Sequence, residues 1–302
     1  MANDLLTEPV RPTSKDPPDR DLAIQTPGKK PRPRFIWWPA QRLFWQVVLA
    51  GTFLAAWQFL PQIPALADNY KFLNVFFISS PVKVADSLWH LLTDGGPNGV
   101  TIWPYLLNTI EATLRGVGIG LGLGALAGLV FSNFRRLSEV VRPFIVLGNS
   151  IPRIALIPIF VVILGPNINA SVLSVVTVVF FLVFFNAFEG GTMIKQAVIE
   201  NARLLGAGPF GIMWTIRLPQ VLSWTFASLP NAISFGLIVA VSAELIAGIR
   251  GVGTLLQQAM LNLDASLTFA VVVALSVVGL TLYQLGNLLK SVVLRWDKNA
   301  GQ

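Results

Sequence analysis

The sequence predicts an all-α integral membrane protein with about six transmembrane helices and both termini in the cytoplasm. Three observations lead there. Only 12% of the 302 residues are charged while 54% are hydrophobic, against about 25% charged in a soluble domain. Apolar runs approaching the roughly 20 residues needed to cross the hydrocarbon core recur along the chain. Lys and Arg fall mainly in alternate connecting segments rather than in one basic stripe, which reads as a topology signal and argues against a nucleic-acid partner despite a net charge of +7.

The first 40 residues are a tail rich in Pro, Asp, Lys and Arg, with Pro17-Pro18 and Pro31-Arg32-Pro33-Arg34. They offer little to bury and read as a disordered cytoplasmic segment, ahead of a membrane domain over residues 41–295. Leu43–Leu60 is the first expected span, with Trp45 and Trp57 near its ends, where indole rings suit the headgroup region. Ala65-Leu66-Ala67 resembles a signal-peptide cleavage site, but the charged segment before the apolar run is long for that class.

Between Pro61 and Pro104, Val84, Leu88, Leu91 and Leu92 recur at helical spacing and predict a short helix on the outer membrane surface, which carries the lone histidine, His90. The remaining spans are expected at Leu106–Phe131, Pro143–Leu164, Ala170–Phe188, Trp224–Ala247 and Leu267–Leu289. With the tail inside, the inner segments hold Arg32, Arg34, Arg42, Arg135, Arg136, Arg142, Lys195, Arg203, Arg217, Lys290, Arg295 and Lys298. The outer ones hold Lys71, Lys83 and Arg250.

Gly116, Gly120, Gly124 and Gly128 stand four apart in the second span. A phosphate-cradling loop would follow a strand, whereas a strip without side chains inside an apolar run lets a neighbouring helix approach closely. The third span carries Pro143, Pro152 and Pro158 with Arg153 near its middle. Interior prolines remove helix hydrogen bonds, and irregular backbone at membrane depth must be buried in protein or line a cavity. Pro152, Arg153 and Pro158 are therefore candidate pathway residues, and Glu244, a carboxylate within the fifth span, is a fourth. Arg153 either contacts solute or pairs with a carboxylate, for which Glu244 and Glu111 are available. Glu111 also stands four before Arg115 and can pair with it instead. The absence of Cys and the solitary His exclude thiolate and histidine-rich metal sites.

The loop over residues 189–223 is the most informative stretch. Ile194–Leu205 has good helix formers, Gly206 can end a helix in the left-handed conformation, and Pro209 suits the first turn of another. Two short helices with a tight bend would carry apolar residues that no lipid covers, the mark of a docking surface.

Here the sequence resembles the permease subunits of bacterial ABC importers, in which Glu-Ala-Ala, three residues, Gly, nine residues, Ile, one residue and Leu-Pro follow one another in a cytoplasmic loop. Glu200, Ala202, Gly206, Ile216, Leu218 and Pro219 fall on that pattern, with Asn201 in place of the middle Ala. Ser80-Pro81, the segment from Ile151-Pro152-Arg153 through Ile157-Pro158 to Gly165, and Ala243-Glu244 followed by Gly251-Val252-Gly253 resemble the nitrate, sulfonate and taurine branch.

The resemblance implies a type I importer permease in the cell (inner) membrane that is no enzyme itself and binds no cofactor, the ATP being used by separate cytoplasmic ATPase subunits. It implies a second permease copy, membrane lipid around the pair, and an extracytoplasmic binding protein that delivers nitrate, sulfonate, taurine or a similar solute. It makes Glu200, Asn201, Ala202, Arg203, Leu204, Leu205, Gly206, Ala207, Gly208 and Pro219, within loop 195–219, the ATPase-coupling residues. A secondary transporter would need ionisable coupling groups beyond Glu111 and Glu244, and a membrane enzyme a clustered acid, base or metal set.

Overall fold

The computed structural model describes residues 38–63, 75–95 and 99–294, and all regular structure among them is helical. The tail up to residue 37, Ala65-Leu66-Ala67, Lys71, Arg295 and Lys298 lie outside the described residues. Contacts group the chain into residues 1–53 and 54–302. The first unit contributes the start of α1 (Trp38–Phe59), whose side chains from Gln41 to Phe53 are exposed.

The second unit begins with the end of α1. Trp57 there donates to the carbonyl of Ile78 at 3.2 Å and meets the ring of Phe269 edge-on. The outer amphipathic helix forms as α2 (Pro81–Thr93), with Val84 and Leu91 buried beside the half-buried Leu88 and Leu92. His90 stays exposed between Asp86 and Asp94, one helical turn away on either side.

Among the described residues, five helices are long and apolar enough to cross a bilayer: Gln41–Gln62, α3 (Trp103–Asn133), α6 (Ile168–Thr192), α10 (Leu229–Ala247) and α12 (Ala265–Val293). Between α3 and α6 the stretch expected as one span, Pro143–Leu164, is interrupted. It runs as α4 (Arg135–Ser150), a tight turn over Arg153–Leu156 and α5 (Ile157–Leu164). Ile151 is extended, as the residue before a proline prefers, and Pro152 has no N–H to continue the ladder. Pro143 is accommodated inside α4, and Pro158 sits in the first turn of α5, where a missing N–H costs nothing.

The stretch Trp224–Ala247 is likewise divided, into α9 (Leu218–Ala227) and α10, because Pro230 cannot donate back across Ser228. Taking α4 and α5 as one interrupted crossing, inside termini put the segment after α6 in the cytoplasm. The same count puts α11 (Val252–Leu261) outside.

The core is built on α6, which packs along α3 and also meets α9 and α10. Glycine makes that contact possible. A Cβ on Gly116 would lie 2.5 Å from Val175 Cβ, one on Gly120 2.9 Å from Val179 Cβ, and one on Gly124 2.8 Å from the carbonyl oxygen of Phe180. At Gly128 it would collide with Ala187. Gly118 and Gly122, on the other side of α3, face open space. The four-residue strip is thus a helix-packing surface, and Val175, Val179 and Val183 are fully buried against it.

Candidate functional site

The segment between α6 and α9 forms a helix–turn–helix. Lys195 starts α7 (Gln196–Leu204) in an extended conformation. Gly206 has φ +88°, and the N–H groups of Leu205, Gly206 and Ala207 return to the carbonyls of Asn201, Arg203 and Ala202, so the helix end is satisfied internally. The chain then enters α8 (Pro209–Ile212). A wide π-turn follows over Met213–Arg217, closed by the Leu218 N–H reaching the Met213 carbonyl. Pro219 is the physical reason: it cannot donate to Thr215, and the ladder slips by one residue to keep its bonds.

Ile199 and Ile212, both buried, tether this motif. Others face away from the protein. Leu204 is 86%, Leu205 89% and Phe210 76% exposed, and the ring of Trp214 stands 5.9 Å from that of Phe210. On a segment outside the bilayer these form an apolar surface, with Glu200 exposed on the same helix.

Arg217 joins the motif to the spans. Its Nη1 donates to the carbonyl of Asn133 at 2.8 Å, at the C-terminal end of α3, where carbonyls lack helix partners and a cation is favoured. Burial, and then the charge of Arg203, lower its basicity from the ordinary value. Nearby, Gly191 and Gly190 admit Ser132 and Trp224, so α6, α3 and α9 meet beneath the loop with little free space.

Within the spans, Arg153 stands at the break between α4 and α5. Its Nη2 reaches the carbonyl of Gly148 at 3.5 Å, and its guanidinium carbon lies 5.1 Å from the ring centre of Phe181. Both carboxylates considered as its partners are engaged elsewhere. Glu111 pairs with Arg115 at 2.6 Å. Glu244, 1% exposed, accepts from the Thr109 hydroxyl at 2.9 Å and from the Gly253 N–H at 3.0 Å. The Thr109 oxygen in turn accepts from the Val252 N–H at 3.0 Å. A Cβ on Gly251 would overlap the Glu244 carboxyl, and one on Gly253 would lie 2.6 Å from Glu244 Cβ.

Glu244 therefore caps the start of α11 and ties α10, α11 and α3 together, while Pro152 and Pro158 shape the break that carries Arg153. Thr109, Phe181 and the Asn133 carbonyl were not singled out from sequence, since nothing local marks a group whose partner lies far along the chain.

Among solved structures, the inward-facing MetNI methionine ABC transporter shares the fold, with a TM-score of 0.56 and 18% identity over 64% of this chain and 95% of the other. The riboflavin transport system permease RibX of Chloroflexus aurantiacus is 26% identical over 86% of this chain and 91% of its own length. The taurine transport system permease TauC of Escherichia coli is 25% identical, covering 81% and 87%. The formylaminopyrimidine transport permease ThiX of Halalkalibacterium halodurans is 28% identical, covering 63% and 77%. The family profile described as binding-protein-dependent transport system inner membrane component matches residues 120–295, more than half of the chain and including the whole helix–turn–helix. The chain belongs to that family, as the membrane-spanning permease of a binding-protein-dependent ABC importer.

Proposed function

We propose that this permease is one half of a translocation pore completed by a second copy of the chain and driven from below by two cytoplasmic ATPase subunits. The binding protein on which the family depends delivers solute from outside. The chain binds no cofactor of its own, and ATP is hydrolysed by the partner. Residues 41–295 act as the permease domain, residues 1–40 as a cytoplasmic tail, and 189–223 as the coupling loop.

The observation that carries this reading is the α7–Gly206–α8 motif. Its outward Leu204, Leu205 and Phe210 sit on a segment no lipid covers, while Arg217 and Ile212 fix it to the spans. Glu200 to Gly208, with Pro219 behind them, form the contact. A push on that contact reaches α3 through Arg217 and α6 through the close-packed glycines, and moves the spans as rigid bodies.

The relatives named for riboflavin, taurine and formylaminopyrimidine support a small polar solute, and we assign nitrate, a sulfonate, taurine or a similar solute. Arg153 at the helix break is a pathway cation for it, and Arg153→Gln should lower the solute moved per ATP hydrolysed. Reconstitution tests the whole reading. The chain, a co-purified ATPase and a loaded binding protein in proteoliposomes should take up solute only when all three and ATP are present, whereas uptake by the chain alone contradicts it.

A further inference from the structure

The pair Glu111–Arg115 is unused by the reading above, and its placement is unusual. Arg115 lies about 18 Å from the start of α3 at about 1.5 Å per residue, well inside a 31-residue spanning helix. Its side chain is 58% exposed and that of Glu111 41% exposed, so the pair projects from the protein instead of into the core. Gly118 and Gly122 follow at helical spacing on the same side of α3, both opening on empty space, and leave a notch beside the two charges. The opposite side of the helix is the strip packed on α6.

An ion pair at this depth facing hydrocarbon is costly, and ionisable groups within spans almost always face a bundle interior or a water-filled cavity. Leu114, Ile119 and Leu123 are exposed on the flanks of the notch and give lipid or a neighbouring helix something to cover. The notch itself offers only charge and bare backbone.

We propose that the Glu111–Arg115 pair is a stepping site for oxyanions in the translocation pathway, with Gly118 and Gly122 making room for the passing solute. This rests on the permease reading and names a contact within it. A guanidinium presents a planar fork of N–H donors that matches sulfonate, carboxylate or nitrate oxygens in bidentate fashion. Glu111 already occupies part of that fork at 2.6 Å. An arriving anion must displace one carboxylate oxygen, and Glu111 re-pairs when the anion leaves. Such competition keeps the site weak, which a pathway needs, since a solute must enter a site and also depart from it. It also keeps the empty site neutral. A solute without an oxyanion group has nothing to exchange with Glu111 and is not favoured.

The sequence contains no cysteine, so Gly118→Cys and Gly122→Cys each introduce a single thiol without background. In the transporter assembled with its ATPase and binding protein, an anionic, water-soluble methanethiosulfonate should modify both thiols at least about tenfold faster than Leu123→Cys, because a charged reagent does not enter hydrocarbon. Protection of both, in complexes that remain active, overturns the proposal. In the same vesicles Arg115→Gln should cut the amount of alkanesulfonate or nitrate moved per ATP hydrolysed by about tenfold, the loss of one charge-assisted contact, with Arg115→Lys intermediate. An unchanged ratio in Arg115→Gln overturns it. If Arg115→Gln does not assemble, the thiol results decide. If no ATPase associates even with the parent chain, the permease mechanism proposed above fails, and labelling of the chain alone still separates a wet notch from a lipid-facing one.

Discussion

The guanidinium of Arg217 donates to the main-chain carbonyl of Asn133 at 2.8 Å, and so closes the end of α3 from the far side of the cytoplasmic loop, 84 residues away in sequence. A loop that docks on a partner must be stiffly joined to the helices it moves. In the proposed function this bond is such a joint, and it is made at the end of the helix where unpartnered carbonyls accept a cation most readily.

Replacing Arg217 by Ala should therefore lower stability by on the order of 1–2 kcal/mol, the range for a partly exposed hydrogen bond to a charged group. Thermal unfolding of the purified permease in detergent measures this. In proteoliposomes the complex carrying this variant should move less solute per ATP hydrolysed by its ATPase.

The two sides of α3 should respond oppositely to a single methyl. Gly120→Ala and Gly124→Ala place a Cβ 2.9 Å from Val179 and 2.8 Å from the Phe180 carbonyl, and should cost about 1–3 kcal/mol as the helices part. Gly118→Ala meets nothing within 4 Å and should be neutral or stabilise by about 0.5–1 kcal/mol through lost chain entropy. Unfolding midpoints of the three variants compare them directly.

The packed side of that contrast was legible in the sequence, because the spacing of Gly116, Gly120, Gly124 and Gly128 is itself the geometry of a helix face; the open side at Gly118 was not. The turn at Gly206 was legible for a similar reason: a glycine between a good helix and a proline has few other uses. The break at Pro152 was legible only as irregular backbone. That it divides α4 from α5 depends on Ile151 being held extended, which the proline restricts but does not dictate.

The partners of Glu244, Arg153 and Arg217 could not be read. Thr109 and Glu244 are 135 residues apart, and their meeting depends on how α3 packs on α10. Sequence left Arg153 with two available carboxylates. Folding gave Glu111 to Arg115, one turn away, and Glu244 to the start of α11.

Glu244→Ala should destabilise the permease by about 1–3 kcal/mol, since it leaves the Gly253 N–H buried without an acceptor, while the Thr109 hydroxyl keeps only the Tyr105 carbonyl at 3.0 Å. Glu244→Gln retains one acceptor oxygen and should cost about half as much. Resistance to proteolysis at the outer end of α10, followed against denaturant, distinguishes the two. A Gln variant as damaged as the Ala variant would show that the charge, not the cap, is what the site requires.

Docking of the α7–Gly206–α8 motif on a partner ATPase is read out by the affinity of that ATPase for loop variants in detergent. Glu200→Lys and Leu205→Asp change exposed side chains, and Gly206→Pro replaces a residue at φ +88° with one restricted to about −65°. All three should bind at least about tenfold more weakly, the effect of losing about 1.4 kcal/mol at the contact, and should lose ATP-driven uptake while the spans keep their unfolding temperature. Parental affinity and parental uptake in all three variants would contradict the account.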